Sequence, residues 1–133
     1  MKRIFSIQIW GYWIPVVMYA GLIFFLSAQS DPEQYVPVFS FPGADKLEHA
    51  VEYSVLGILC YRAFRYAAGG WASRYALLLA IVIASGYGVS DEFHQYFVPL
   101  READGWDVLA DTIGASLGSL GWHHLWSRPS SLN

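Results

Sequence analysis

Trp10 to Ala28 runs for 19 residues without a charged side chain. Coiled as a helix at about 1.5 Å per residue, such a run reaches roughly 28 Å, close to the thickness of a bilayer's hydrocarbon core. In lipid the backbone has to satisfy its own hydrogen bonds, so a run of this kind is read as a membrane-crossing helix. A cleaved signal peptide is the competing reading, because Lys2 and Arg3 resemble a basic leader. The run is longer than a leader's apolar stretch of about 7–15 residues, and Leu26-Ser27-Ala28 makes a poor small-x-small cleavage site. The segment is therefore expected to be a retained helix. Composition agrees: 55% of residues are hydrophobic and 14% charged, against about a quarter charged in an average soluble domain.

The remainder repeats the pattern with more interruption. Gln29 to Gly43 reads as a loop, with Pro32, Pro37 and Pro42 and the acids Asp31 and Glu33. Val36, Val38, Phe39 and Phe41 suit a loop lying in the membrane interface. A second helix is expected over about 46–66, with Asp45 as a candidate cap, since a carboxylate there accepts free amide hydrogens of the first turn. Ala67 to Ala72 reads as a small loop around Gly69 and Gly70. A third helix follows over about 73–93, then a loop containing Pro99, then a fourth helix over about 105–126 that Arg128-Pro129 ends. Gly114, Ala115, Gly118 and Gly121 are small residues of the kind that let helix backbones approach closely. The expected architecture is all-α: residues 1–133 as a single membrane domain, a bundle of four transmembrane helices (10–28, 46–66, 73–93 and 105–126). The lone Cys60 excludes a disulfide framework within the chain. Neither a nucleotide-binding glycine loop nor a paired-cysteine metal motif is present, and no nucleic-acid partner is expected.

The charges are segregated. Lys2, Arg3, Arg62, Arg65, Arg74 and Arg128 fall at one end of the expected bundle, and Lys46 and Arg101 at the other. Six basic residues against two orient the chain with both termini cytoplasmic. All eleven acids fall on the opposite, outer half: Asp31, Glu33, Asp45, Glu48, Glu52, Asp91, Glu92, Glu102, Asp104, Asp107 and Asp111. The orientation rule does not demand this, because acids weigh little in it. It points to a polar site at the outer face.

Helical spacing sharpens the site. Asp45, His49 and Glu52 share one stripe of the second helix, and Asp104, Asp107 and Asp111 one stripe of the fourth if that helix reaches back far enough. Glu92 and Gln95 lie one turn apart at the end of the third. Glu52 and Asp111 sit about seven residues, or roughly 10 Å, inside their helix starts. A carboxylate at that depth is costly unless it faces the bundle interior and is paired or protonated. Three chemistries fit. His49 with a flanking carboxylate can act as base or nucleophile. Oxygen ligands from Asp45, Glu92, Asp104 and Asp107 can hold a hard divalent cation such as Mg or Ca, with a transition metal disfavoured because this end of the bundle offers one well-placed histidine and no cysteine. Lys46 and Arg101 can clamp a phosphate. Plain readings compete: solvated loop charges at Asp31, Glu33 and Glu102, helix caps at Asp45 and Asp104, interfacial roles for His94, His123 and His124, packing for Cys60, and a purely interhelical hydrogen-bond network for the rest.

Two segments carry a family resemblance. Asp45-Lys46-x-x-His49-x-x-x-Tyr53-x-x-Leu56-Gly57 is followed by Asp91-Glu92-x-x-Gln95-x-Phe97-Val98-Pro99-x-Arg101-x-x-Asp104-x-x-Asp107-Val108-Leu109-Ala110-x-x-x-Gly114. In order and spacing these resemble the VanZ-like family of small bacterial membrane proteins. The first helix is similar only in being apolar. Asp111 stands where the family usually has Asn, and Leu100 where it often has Gly. The resemblance implies a multi-pass protein of the bacterial cell (inner) membrane, with a link to low-level resistance to the glycopeptide teicoplanin. It also implies action on lipid phosphate esters, by likeness to lipid headgroup-exchanging enzymes. It carries no established reaction.

The expectation is an enzyme acting on the headgroup of a membrane lipid or a lipid-linked envelope precursor, by hydrolysis or transfer at a phosphoester. His49, Glu52, Glu92 and Asp107 would be catalytic, with Glu52 or Asp107 orienting His49. Lys46, Tyr53, Gln95, Arg101, Asp104 and Asp111 would bind substrate. The alternatives are a lipid- or antibiotic-binding protein without chemistry, and a small transporter or channel. Four helices and no internal repeat suit alternating access poorly.

Overall fold

The structure is a computed structural model that describes residues 2–31 and 41–126, with side chains from Ile9 onward in the first helix. The expectations for Pro32, Glu33, Val36, Pro37, Val38, Phe39, the Lys2 and Arg3 side chains, and Arg128-Pro129 lie outside the described residues.

The described residues form helices and connecting turns. Helix α1 spans Lys2–Ser27, α2 Ala44–Ala63, α3 Gly70–Arg74, α4 Ala76–Gln95 and α5 Gly105–Trp126. α5 coincides with its expected range. The expected loop at 67–72 is instead a π-helical turn, Phe64–Ala68, followed by the single turn of α3. Gly69 and Gly70 have positive φ of 67° and 51° and break the helix between them. Ser73 Oγ then donates to the Arg65 carbonyl at 2.7 Å and accepts from Arg65 Nη1 at 3.1 Å. The corner so closed delays the next long helix to Ala76.

The four long helices alternate in direction. At one end Ser27 meets Asp91, and Lys46 meets Asp104. At the other end Tyr61 bonds His123, Trp13 packs on Phe64, and the Arg62 guanidinium lies over the rings of Tyr12 and Trp122. The core is a stripe from each helix. α2 contributes Tyr53, Leu56, Cys60 and Tyr61, and α4 contributes Ala76, Ala80 and Ala84 at four-residue spacing. Ala115 and Ile23 complete it from α5 and α1.

α2 and α5 approach by backbone. A Cβ on Gly114 would strike the carbonyl of Ala50, and one on Gly118 that of Ser54. One on Gly57 would come within 2.5 Å of the Ala115 carbonyl. Gly121, expected in the same row, faces open space.

Among the described residues, two helical stretches are long and apolar enough to cross a membrane, Ile9–Ser27 and Ala76–Gln95. The surface is apolar, and polar residues are buried beside the apolar core. Val17, Met18, Val82, Ile83, Leu109, Ile113 and Leu117 are exposed, while Asp91, Glu92, Gln95, Asp107, Asp111 and Ser119 are buried.

Candidate functional site

The buried polar residues collect where α2 begins, α4 ends and α5 begins. Gly43, with φ 82°, occupies the N-cap of α2. Asp45 therefore lies inside the first turn rather than at the cap, and its carboxylate turns to Lys46 at 2.8 Å. Asp104 does cap α5: its Oδ1 accepts from the Trp106 amide at 2.9 Å. Its other oxygen accepts from Lys46 Nζ at 2.7 Å. Lys46 also reaches Asp107 Oδ1 at 2.5 Å. One ammonium thus joins three carboxylates on two helices. It holds Asp45 and Asp104 below the usual carboxylate range, chiefly by hydrogen bonding to each.

One turn deeper, His49 faces α5. Its Nδ1 lies 2.9 Å from Asp111 Oδ1, and its Nε2 lies 3.8 Å from Asp107 Oδ2, beyond hydrogen-bond range. An ionised Asp111 can only accept, so it fixes the hydrogen on Nδ1 and leaves the Nε2 lone pair free. Asp111 is wholly buried, in a seat made by glycine: a Cβ on Gly88 would come within 2.6 Å of Asp111 Oδ2. Glu92 enters from α4. Its Oε2 accepts the Asp104 amide at 2.9 Å, and its Oε1 has no hydrogen-bond partner among the described residues. One ligand atom from each of His49, Glu92 and Asp107 lies within 4.8 Å of the other two.

The expected site therefore divides. His49, Glu92, Asp107, Asp111, Lys46, Asp104 and Asp45 come together. Orientation of His49 falls to Asp111, with neither Glu52 nor Asp107 in hydrogen-bonding position. Glu52 is half-buried and engages Tyr19 through its backbone carbonyl at 3.2 Å. Arg101 is half-buried, and its Nε has no partner among the described residues. Tyr53 is fully buried in the core, with its hydroxyl likewise unpartnered. Gln95 turns away from His49: its Nε2 donates to Ser27 Oγ at 3.0 Å and to Asp91 Oδ2 at 3.3 Å.

Ser27 and Asp91 are buried polar residues that sequence reasoning did not place. Ser27 Oγ donates to Asp91 Oδ2 at 2.7 Å and pins the end of α1 to α4. The available signal was one serine closing a long apolar run. His94 stacks on Phe24, ring centroids 4.6 Å apart, in keeping with an interfacial role.

A cleft of about 360 Å³ opens beside this cluster, lined by Glu92, Phe93, Tyr96, Ala103, Asp104 and Gly105. It shares Glu92 and Asp104 with the carboxylate cluster and is flanked by exposed aromatic rings. A family model described as VanZ/LLP1 matches residues 5–126, nearly the whole chain. No curated protein and no solved structure matches it.

Proposed function

The chain belongs to the VanZ/LLP1 family, and from that premise we propose that it is a four-span protein of the bacterial inner membrane that acts on a lipid headgroup phosphoester at its outer face. The observation carrying this reading is the buried His49–Asp111 pair, set beside Glu92, Asp107 and Lys46 at one end of an otherwise apolar bundle. Exposed apolar side chains on α2 and α5, among them Val51, Val55, Leu109 and Leu117, support lipid contact for these helices as well as for α1 and α4. The basic residues at the opposite end support cytoplasmic termini. Acids buried at membrane depth are expensive and mark function more often than packing.

Within this reading His49 supplies the reactive lone pair, and Asp111 is the positioning residue that fixes its tautomer. Lys46, already neutralised by three carboxylates, organises the site. Arg101 is the cation left to meet a phosphate, from the loop beside the cleft. The substrate class is a phospholipid or a lipid-linked envelope precursor, and the reaction hydrolysis or transfer at its phosphoester. A link to teicoplanin resistance would act at this same face.

The test uses purified protein in liposomes carrying a fluorescent phospholipid or a polyprenyl phosphodiester. His49→Gln keeps a donor for Asp111 and removes the imidazole. We expect turnover to fall by about 100-fold or more while the thermal transition in detergent stays near that of the parent. Undiminished turnover in a folded His49→Gln protein would remove His49 from the chemistry. Lipid bound by the parent without any being consumed would leave a binding protein.

A further inference from the structure

The charges at the site do not balance. Asp45, Glu92, Asp104, Asp107 and Asp111 converge on one lysine and one histidine, and three of the five carboxylates are buried. Such a site repels a phosphoester, and buried carboxylates need compensation. A second cation resolves both problems.

We propose that His49 Nε2, Glu92 and Asp107 hold a divalent transition-metal ion, Zn2+ or Mn2+, with an open position towards the cleft. This deepens the reading of the same site as one acting on a phosphoester, and it changes the duty of His49 from free base to metal ligand. The strongest ground is what lies behind each ligand. A metal-binding histidine ordinarily gives its other nitrogen to a carboxylate or carbonyl, and ligating carboxylates are themselves hydrogen-bonded. Two of the three residues have a hydrogen-bonded partner of this kind and the third an ion pair. His49 Nδ1 is held by Asp111 at 2.9 Å. Glu92 Oε2 is held by the Asp104 amide at 2.9 Å. Asp107 Oδ1 is ion-paired with Lys46 at 2.5 Å, without the geometry of a hydrogen bond. His49 Nε2 and Asp107 Oδ2 lie 3.8 Å apart, a ligand atom of Glu92 lies within 4.8 Å of one from each of the other two, and Glu92 Oε1, in a residue 6% exposed, has no hydrogen-bond partner among the described residues.

Three protein ligands with an open position is the arrangement of a catalytic metal site rather than a structural one. The 4.8 Å spread of the ligand atoms exceeds the roughly 3.4 Å between neighbours around a tetrahedral ion with bonds of about 2.1 Å. Rotamer adjustments of about an ångström at each side chain close that difference. One imidazole with two carboxylates favours Zn2+ or Mn2+ over Mg2+ and Ca2+, which prefer all-oxygen shells. The ligand set therefore differs from the four-carboxylate set expected from sequence: His49 enters, and Asp45 and Asp104 serve Lys46.

The experiment is metal binding, measured apart from turnover. The full chain, purified in detergent and stripped with chelator, is reloaded separately with Zn2+, Mn2+, Mg2+ and Co2+, then desalted and its metal content determined. We expect about one equivalent of Zn2+ or Mn2+ retained, little Mg2+, and visible Co2+ absorption bands. His49→Ala, Glu92→Gln and Asp107→Asn should each weaken binding at least tenfold and remove the bands. Asp111→Leu should weaken it by about 10–100-fold. Asp111→Asn, which still accepts from Nδ1, should weaken it less, and His124→Gln at the opposite end should bind as the parent does. The last two keep the test informative if a ligand variant fails to fold. A parent that retains no more metal than His49→Ala overturns the proposal, as does unchanged binding in folded Glu92→Gln and Asp107→Asn. Lipid turnover without metal overturns this inference alone; metal binding without turnover upholds it and overturns the phosphoester reading.

Discussion

Two buried polar clusters lie at the same end of the bundle, a few residues apart on α4. One is Ser27–Asp91–Gln95, which ties α1 to α4. The other is His49–Asp111–Asp107–Glu92, which joins α2, α4 and α5. The first has one carboxylate and two neutral donors directed at one of its oxygens, and none of its members lines the cleft. The second has carboxylates in excess, a ring nitrogen with an unused lone pair, and Glu92 at the cleft wall. Burial alone does not distinguish them, since Asp91 at 4% and Glu92 at 6% exposure are equally hidden. Nor does spare acceptor capacity, since Asp91 Oδ1 and Glu92 Oε1 both lack a partner among the described residues; access to the cleft does, through Glu92. On the proposed reading the first is a fastening and the second the reactive site.

The largest effect should come from Gly88→Ala, which strikes the second cluster without altering any of its polar groups. The new Cβ meets Asp111 Oδ2 at 2.6 Å and Asp111 Cβ at 3.0 Å. The carboxylate has no slack, because Oδ1 is already on His49. Overpacking of this kind costs about 1–3 kcal/mol, and moving Asp111 frees the His49 ring. We expect lower thermal stability together with a loss of headgroup turnover comparable to that of His49→Gln. If stability falls while turnover holds, Asp111 does not position His49, and the distinction between the clusters weakens.

Next is Ser27→Ala, which acts on the fastening. It leaves Asp91 buried with only the 3.3 Å contact from Gln95 on Oδ2. Removing a donor from a buried acceptor costs about 1–3 kcal/mol, and we expect that loss in a denaturant titration in detergent. Turnover should remain within about threefold of the parent, as for a change distant from the reacting groups. A folded Ser27→Ala protein without turnover would make the first cluster part of the site.

The unequal legibility of these clusters has a physical cause. Helical spacing fixes which residues of one helix share a stripe, and on that ground His49, Asp107 and Asp111 were visible in the sequence. So were Glu92 near the end of its helix and the small residues Gly114 and Gly118. Spacing does not fix the azimuth at which two helices meet. Nothing in the sequence separated Glu92, which faces α5, from Gln95, which turns to α1. Ser27 closes an uncharged run, and its partner lies 64 residues away. Lys46 was visible as a cation, but its three carboxylates come from two helix starts whose approach depends on Gly114 and Gly118 meeting the α2 backbone. The corner at Phe64–Arg74 escaped because paired glycines signal a break without specifying the π turn before it.

The smallest expected effect lies in the loop that carries Arg101 and Asp104. Leu100 adopts φ 66°, the left-handed region, and is 90% exposed. An L-residue there is strained by about 1–2 kcal/mol, whereas glycine is not. The sequence had marked this position, since the resembling family often carries glycine at it. Leu100→Gly also adds freedom to the unfolded chain, worth roughly 0.5–1 kcal/mol in the other direction. The net expectation is a gain of about 0.5–1 kcal/mol in detergent. That gain should be additive with Ser27→Ala to within about 0.5 kcal/mol, because the two share no partner. It should not be additive with Glu92→Gln, because Glu92 Oε2 accepts the Asp104 amide from this same loop. A loss of stability instead of a gain would mean that Leu100 is held by apolar contact outside the chain, with the loop seated in lipid. Non-additivity with Ser27→Ala would mean that the two clusters act as one unit, and the contrast between fastening and reactive site would no longer hold.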